Sequence, residues 1–163
     1  MKDGIEIQEL IDFFKRNEDK IYKFAYGYVK NQDLALDLVH ESIVKGIQKR
    51  DTIKEKKYLK TWFYRILINE CLGALRKKNR VLFFDEIKDM EDMRQGDNSD
   101  NIDLYEAIDK LPGKLKTIIM LRFFEDMSLE EISQTIKINL STVKSRLYKA
   151  LAVLKLDMKG EDL

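Results

Sequence analysis

The sequence predicts an all-α chain, and three observations carry that prediction. Apolar residues recur every three or four positions over long stretches, while strand-like alternation is almost missing. One proline and seven glycines interrupt 163 residues, so little in the chain breaks a helix. Ser128 stands three residues before Glu131, a capping box in which hydroxyl and carboxylate satisfy each other's free backbone donors and so start a helix. The length allows one large or two small domains, and an apolar fraction of 44% is enough to fill their cores.

The first helix is predicted over residues 6 to 30, with Leu10, Phe13, Phe14, Ile21, Phe24, Tyr28 and Val29 as its core face. A turn at Lys30-Asn31-Gln32 precedes a second helix, whose first turn holds Asp33, favourable at the positive helix end. Leu34, Leu38, Val39, Ile43 and Ile47 form its buried stripe, and Asp37, His40, Glu41 and Lys45 fall on another face. Asp37-x-x-His40 has the spacing of a di-iron helix bundle, but such a site needs a second histidine and this chain has one. No metal is therefore expected.

Residues 50 to 57 read as a polar, lysine-rich loop around Ile53. A third helix follows at about 57 to 78, with Leu59, Trp62, Phe63, Ile66, Leu67, Leu72 and Leu75 at helical spacing and Trp62 and Phe63 read as core. Its basic face, Lys54, Lys56, Lys57, Lys60 and Arg65, continued by Arg76, Lys77, Lys78 and Arg80, needs a counter-charge. Cations beside a loop able to receive an unstacked base are what a single-strand-binding surface requires.

The net charge of +1 hides a polarised distribution. Residues 1 to 44 hold six Lys/Arg against nine Asp/Glu, residues 45 to 80 twelve against three, and residues 85 to 106 two against nine. The last of these blocks, FDEIKDMEDMRQGDNSDNID from 84 to 103, is weakly periodic and reads as a flexible acidic linker. Helical spacing resumes at Ile102, Tyr105 and Ile108, and Pro112 is read at the first helical position, where its missing N–H has no partner to lose. Leu115, Ile118, Ile119 and Arg122-Phe123-Phe124 carry that helix to residue 128.

Leu129, Ile132 and Ile136 give the capped helix its apolar positions; the period breaks at Lys137-Ile138-Asn139, where Asn139 or Ser141 caps a second helix burying Val143, Leu147, Leu151 and Leu154. Its other face shows Ser141, Lys144, Ser145, Tyr148 and Lys149, and no acid occurs from Ile132 to Leu156. This is a helix-turn-helix suited to a major groove lined with acceptors and flanked by phosphates. Lys137 stands at the turn position where such motifs usually hold glycine.

The run SLEEISQTIKINLSTVKSRLYKAL resembles the C-terminal promoter-binding region of bacterial RNA polymerase sigma factors, above all the small extracytoplasmic-function (ECF) group, and Thr142-Val143-Lys144-Ser145-Arg146-Leu147 is close to that group's consensus. The segment Asp33-x-x-x-Asp37-Leu38-Val39-His40-Glu41 is similar to the family's polymerase-docking segment, with His40 where glutamine is usual. Lys60-Thr61-Trp62-Phe63-Tyr64-Arg65-Ile66-Leu67-Ile68-Asn69 looks like the family element that melts and reads the minus-10 promoter element, and Ala107-x-x-x-Leu111-Pro112 and Leu121-Arg122 follow the ECF pattern.

The resemblance implies two helical domains, residues 1–82 and 104–160, joined by the linker 83–103. Asp37, His40 and Glu41 would dock on the β′ clamp helices of core RNA polymerase, whose β subunit is also a partner. Ile53, Lys56, Lys57, Lys60, Arg65 and Asn69 would bind minus-10 DNA, with the Ile53 loop receiving a flipped base. Ser141, Thr142, Lys144, Ser145, Arg146, Tyr148 and Lys149 would bind the minus-35 element, Lys144 reading a base and Arg146 either contacting DNA or holding an intramolecular ion pair. Anti-sigma factors are usual partners in the family and often sit in the membrane.

A non-enzymatic role follows, since there is no glycine-rich phosphate loop, no Ser/His/Asp constellation, no metal-spaced cysteine set and no expected cofactor. The single cysteine, Cys71, excludes an intramolecular disulfide and suggests a buried thiol in a reducing compartment. No apolar stretch approaches the ~18 residues of a membrane span, so a soluble cytoplasmic protein without membrane insertion is expected. The competing expectation is a stand-alone helix-turn-helix regulator that recognises duplex DNA without polymerase. It leaves the acidic face at Asp37 and the basic aromatic helix without a purpose.

Overall fold

The computed structural model describes residues 5–96 and 104–157, with side chains described in 5–77 and 104–155. Among these residues there are seven α-helices and no strand.

Helix α1 (Ile7–Val29) buries Leu10, Phe13, Phe14, Ile21, Phe24, Tyr28 and Val29 and ends where Lys30 turns left-handed at φ 53°. Asn31 then accepts from the Leu34 amide at 2.9 Å, a side-chain cap that starts α2 (Gln32–Gln48). Leu38 and Val39 of the predicted stripe are buried together with Ala35, Ser42 and Gly46, while Leu34, Ile43 and Ile47 are half-buried against the core. Two short 3₁₀ turns, Arg50–Thr52 and Lys56–Tyr58, lead into α3 (Leu59–Gly96). Phe63 meets Phe13 edge-on at 5.9 Å and Phe14 at 4.9 Å, which closes a three-helix unit around aromatic rings.

Cys71 is fully buried in α3, and desolvation pushes its thiol up to about 12, so it behaves as an inert small apolar group.

The acidic segment from 83 was expected to be flexible linker, yet α3 continues through Gly96. Residues 79–95 contain neither proline nor glycine and are rich in good helix formers, so nothing stops α3 before Gly96. Residues 97–103, with Ile102, lie outside the described residues.

The second unit comprises α4 (Leu104–Asp109), α5 (Gly113–Ile119), a π-helical turn (Met120–Phe124), α6 (Leu129–Ile136) and α7 (Leu140–Asp157). Pro112 is the cap residue before α5, one position earlier than predicted. The capping box at Ser128 forms: its amide donates to Glu131 Oε1 at 2.8 Å, and the Glu131 amide donates to Ser128 Oγ at 3.0 Å. Lys137 adopts the left-handed turn itself, at φ 54°. Val143, Leu147 and Leu154 are buried as predicted, but Leu151 is 39% exposed and Ala150 takes its place in the core, because a helix advancing 3.6 residues per turn carries Leu151 past the seam.

The two units pack directly on each other. Tyr64 Oη donates to Glu125 Oε1 at 2.9 Å, Lys60 Nζ donates to the Glu125 carbonyl at 2.6 Å, and Lys30 pairs with Asp109 at 2.8 Å. Tyr28 and Thr117 share a buried hydroxyl hydrogen bond between α1 and α5. Gly27 lies against Met120, where an added Cβ would come 2.6 Å from the Met120 methyl.

Candidate nucleic-acid and partner interfaces

Three surfaces carry the residues singled out in the sequence. The first is the outer face of α2. Asp33, Asp37, His40 and Glu41 are all exposed there, and the i, i+4 spacing of the acids aligns them in one row. Leu36 and Val44, 46% and 49% exposed, run beside that row with His40 between them. Neither apolar residue was picked out in the sequence, since both lie off the core stripe. Lys45 leaves the cluster: it pairs with Glu70 of α3, whose hydrogen bond holds the ammonium above its ordinary range. An acidic row beside exposed aliphatic groups fits a partner surface with basic and apolar residues.

The second surface is the 3₁₀ loop with one face of α3. Lys54, Lys56 and Lys57 are exposed, Lys60 and Arg65 are half-buried, and Asn69 is exposed. Lys56 pairs with Glu9 and Lys57 lies over the Tyr58 ring at 5.2 Å, so both can exchange these surface contacts for phosphate. Arg76 and Lys77 continue the exposed basic face. Ile53 does not present itself to solvent: only 2% of it is exposed, because it plugs the three-helix core beneath the loop. The half-buried ring nearby is Trp62, whose indole N–H donates to Thr52 Oγ1 at 2.9 Å. A groove of about 450 Å³ is bounded by Thr52, Tyr58, Trp62 and Arg65 on one side and by Gln134 and Lys137 of α6 and its turn on the other. Stacking surface, apolar floor and cations therefore meet there, but the second unit supplies one wall.

The third surface is α7. Ser141, Lys144, Ser145, Tyr148 and Lys149 are exposed and Thr142 and Arg146 half-buried. Asn139, one of the two expected caps, accepts at 2.9 Å from the Thr142 amide and from the Ser141 and Thr142 hydroxyls. Those hydroxyls are thus tied to the helix start rather than free. Arg146 has no carboxylate partner among the described residues and lines a narrow cleft of about 220 Å³ opposite Arg65 and Asn69.

Among the described residues no three His, Cys, Asp or Glu side chains cluster as metal ligands would, and no helix is long and apolar enough to cross a membrane.

The sequence matches the family profiles described as Sigma-70 region 2, over residues 13–81, and Sigma-70, region 4, over residues 102–154. It is 41% identical over 156 residues to the RNA polymerase sigma factor SigV of Bacillus subtilis (strain 168), covering 94% of this chain and 93% of that protein. The ECF RNA polymerase sigma factor SigW of the same organism is 26% identical over 167 residues, covering 93% and 88%. Among solved structures, the sigma factor RpoE from Bartonella quintana, in complex with the anti-sigma factor NepR, superposes with a TM-score of 0.73 at 23% identity, over 96% of this chain and all of that one. CnrH, solved with the cytosolic domain of CnrY, gives 0.69 at 15% identity, over 96% and 92%.

Proposed function

The chain belongs to the sigma-70 family, within its extracytoplasmic-function group, and from that membership we propose how its surfaces divide the work of starting transcription. The acidic row Asp33, Asp37 and Glu41, with Leu36, His40 and Val44 beside it, docks on the β′ clamp helices of core RNA polymerase. Lys54, Lys56, Lys57, Lys60, Arg65 and Asn69 hold the melted minus-10 strand, with Trp62 beside the base-receiving groove. Ile53 shapes that groove from below and does not touch the base. On α7, Lys144 and Lys149 enter the minus-35 major groove with Ser145 and Tyr148, and the α7 start at Ser141 and Thr142 faces phosphate. The chain is divided as 1–82, 83–103 and 104–160, the middle segment serving as connection. Strand separation draws on binding energy, and the protein acts in the cytoplasm with its polymerase, without cofactor or catalysis.

One observation carries this reading: α2 places a row of exposed carboxylates beside two exposed aliphatic side chains, on a face that neither the core nor DNA could use. Run-off transcription with and without added core polymerase tests it. Promoter-specific product only in the presence of core polymerase is expected, whereas tight sequence-specific binding of duplex DNA by the chain alone would point to a stand-alone regulator.

Control by an anti-sigma factor belongs to the same proposal. A groove of about 470 Å³ between the units has an apolar floor with Tyr105, Phe123 and Phe124 at its edge and Lys20, Lys23 and Lys30 on its rim, which suits an amphipathic segment with acidic flanks. Because each unit supplies one wall, an occupant there would hold the units together.

A further inference from the structure

The loop before α3 is anchored whether or not a strand lies on it. Ile53, 2% exposed, plugs the core beneath, and the amides of Thr52 and Ile53 close the 3₁₀ turn on the carbonyls of Lys49 and Arg50 at 2.9 and 3.3 Å. The exposed side chain of Thr52 therefore stands on backbone that is held from below.

A hydroxyl has one hydrogen to give and two lone pairs to offer. Thr52 gives its hydrogen to the Lys49 carbonyl at 2.7 Å, so towards Trp62 it can act only as an acceptor. The indole N–H, which can only donate, bonds to it at 2.9 Å. The far edge of the same ring lies on α2, where a Cβ added to Gly46 would stand 3.6 Å from Cη2. The ring is thus held at both ends, at its nitrogen by the loop and at its benzene edge by α2.

What remains of the half-buried indole lines the groove of about 450 Å³, together with Arg65 and with Tyr58, which is 38% exposed and four residues earlier in the chain. Since its one polar atom is already bonded, the indole offers the groove aromatic surface alone, which suits stacking on a base of any identity. A ring already fixed in its plane loses little freedom when the base arrives.

We propose that Thr52 is a positioning residue of the minus-10 site: its hydroxyl sets the plane of the Trp62 ring, so that an unpaired base meets a ready stacking surface. Thr52 acts through Trp62 and makes no contact with DNA itself. The inference rests on the assignment of this groove to the melted strand.

The test reads the ring first and the base second. Trp62 is the one tryptophan of the chain, so the time-resolved fluorescence anisotropy of the full chain reports its motion alone. Thr52→Val keeps the shape of the side chain and removes the hydroxyl; it should add a fast component to the decay, and Thr52→Ser, which keeps the hydroxyl, should not. Holoenzyme with core polymerase is then mixed with promoter carrying a fluorescent purine analogue, quenched by stacking, at successive minus-10 positions. Thr52→Val should lessen the quenching at one position and slow promoter opening about two- to tenfold, the loss of one neutral hydrogen bond. Thr52→Ser should restore both. Trp62→Phe breaks the same bond from the other side, so Thr52→Val should slow opening little further in that background.

An unchanged anisotropy decay in Thr52→Val overturns the proposal, as do fully additive effects of Thr52→Val and Trp62→Phe, which would mean that Thr52 acts without the ring. If Thr52→Val loses its helical circular dichroism, Thr52→Ser and Trp62→Phe carry the test. If holoenzyme with the unaltered chain opens the promoter and quenches no position, the groove assignment fails instead, whatever Thr52 does to the ring.

Discussion

The two surfaces proposed for nucleic acid differ in how they meet solvent. On α7 Lys144, Ser145, Tyr148 and Lys149 project into solvent, while Asn139 holds the Ser141 and Thr142 hydroxyls at the helix start. On α3 the donors and cations are drawn into the packing of the other unit: Lys60 is spent on a carbonyl, and Arg65 and Asn69 look into a cleft. A surface that reads intact duplex can stay exposed, since duplex DNA is always available to it. A surface for melted strands has no ligand until the polymerase opens the promoter, and an exposed basic face would bind any single strand in the meantime.

The largest expected effect sharpens the contrast at the loop. Ile53→Ala should cost about 2–5 kcal/mol of stability, because it opens a cavity in the three-helix core, and Ile53→Val about 0.5–1.5 kcal/mol. Denaturant unfolding measures this directly. A chain of unchanged stability that lost only promoter opening would return Ile53 to the base-contacting role its sequence position suggested.

Lys144→Ala breaks the comparison from the open side. It should cost about 1–3 kcal/mol at one base position of the upstream element, whereas loss of Lys149 should weaken all sequences alike. Competition binding by the holoenzyme across variant promoters separates the two, and unchanged base preference in the Lys144 variant would end its assignment.

Tyr64→Phe tests the occluded side. It removes the donor to the Glu125 carboxylate and leaves a buried charge less well held, at about 1–3 kcal/mol. Thermal melting should show the loss, and Glu125→Gln combined with it should show less than the sum, since the two share one contact.

The smallest effect is on pH. Burial raises the Glu125 carboxyl above its ordinary 4.5, partly offset by the Tyr64 hydrogen bond and by Lys60 and Lys20, with Asp126 adding to the rise. The packed arrangement of the two units therefore takes up a proton that separated units would release. The Glu125 contribution to that packing is fully present at and below pH 4.5 and weakens as pH rises through the raised value. Stability against denaturant should fall over that interval, and Glu125→Gln should flatten the slope.

The helices were legible because their signals are local. Ser128 and Glu131 announce a helix start within four residues, and the apolar rhythm gives the extent and buried face of α1 but only the start and part of the buried face of α3, which runs on through Gly96. The burial of Ile53 was not legible because a lone apolar residue in a lysine-rich loop looks the same from sequence whether it plugs a core or meets a ligand. Leu36 and Val44 went unseen because they break the α2 stripe, and residues off the stripe read as ordinary surface. The packing of the two units on each other had no local signal at all: Gly27 sits inside a helix, and Tyr64 and Glu125 are 61 positions apart.

The central claim, that this chain works through core polymerase, is tested most directly at Asp37 and Glu41. Both are exposed four residues apart on α2, so Asp37→Lys with Glu41→Lys should shift stability by only a few tenths of a kcal/mol if nothing binds them. Facing a basic clamp, the same change turns attraction into repulsion and should cost several kcal/mol of binding. The measurement is co-purification of the double variant with core RNA polymerase, beside its circular dichroism melt. An unchanged melt with polymerase lost is the predicted result; an unchanged melt with polymerase retained would contradict the account.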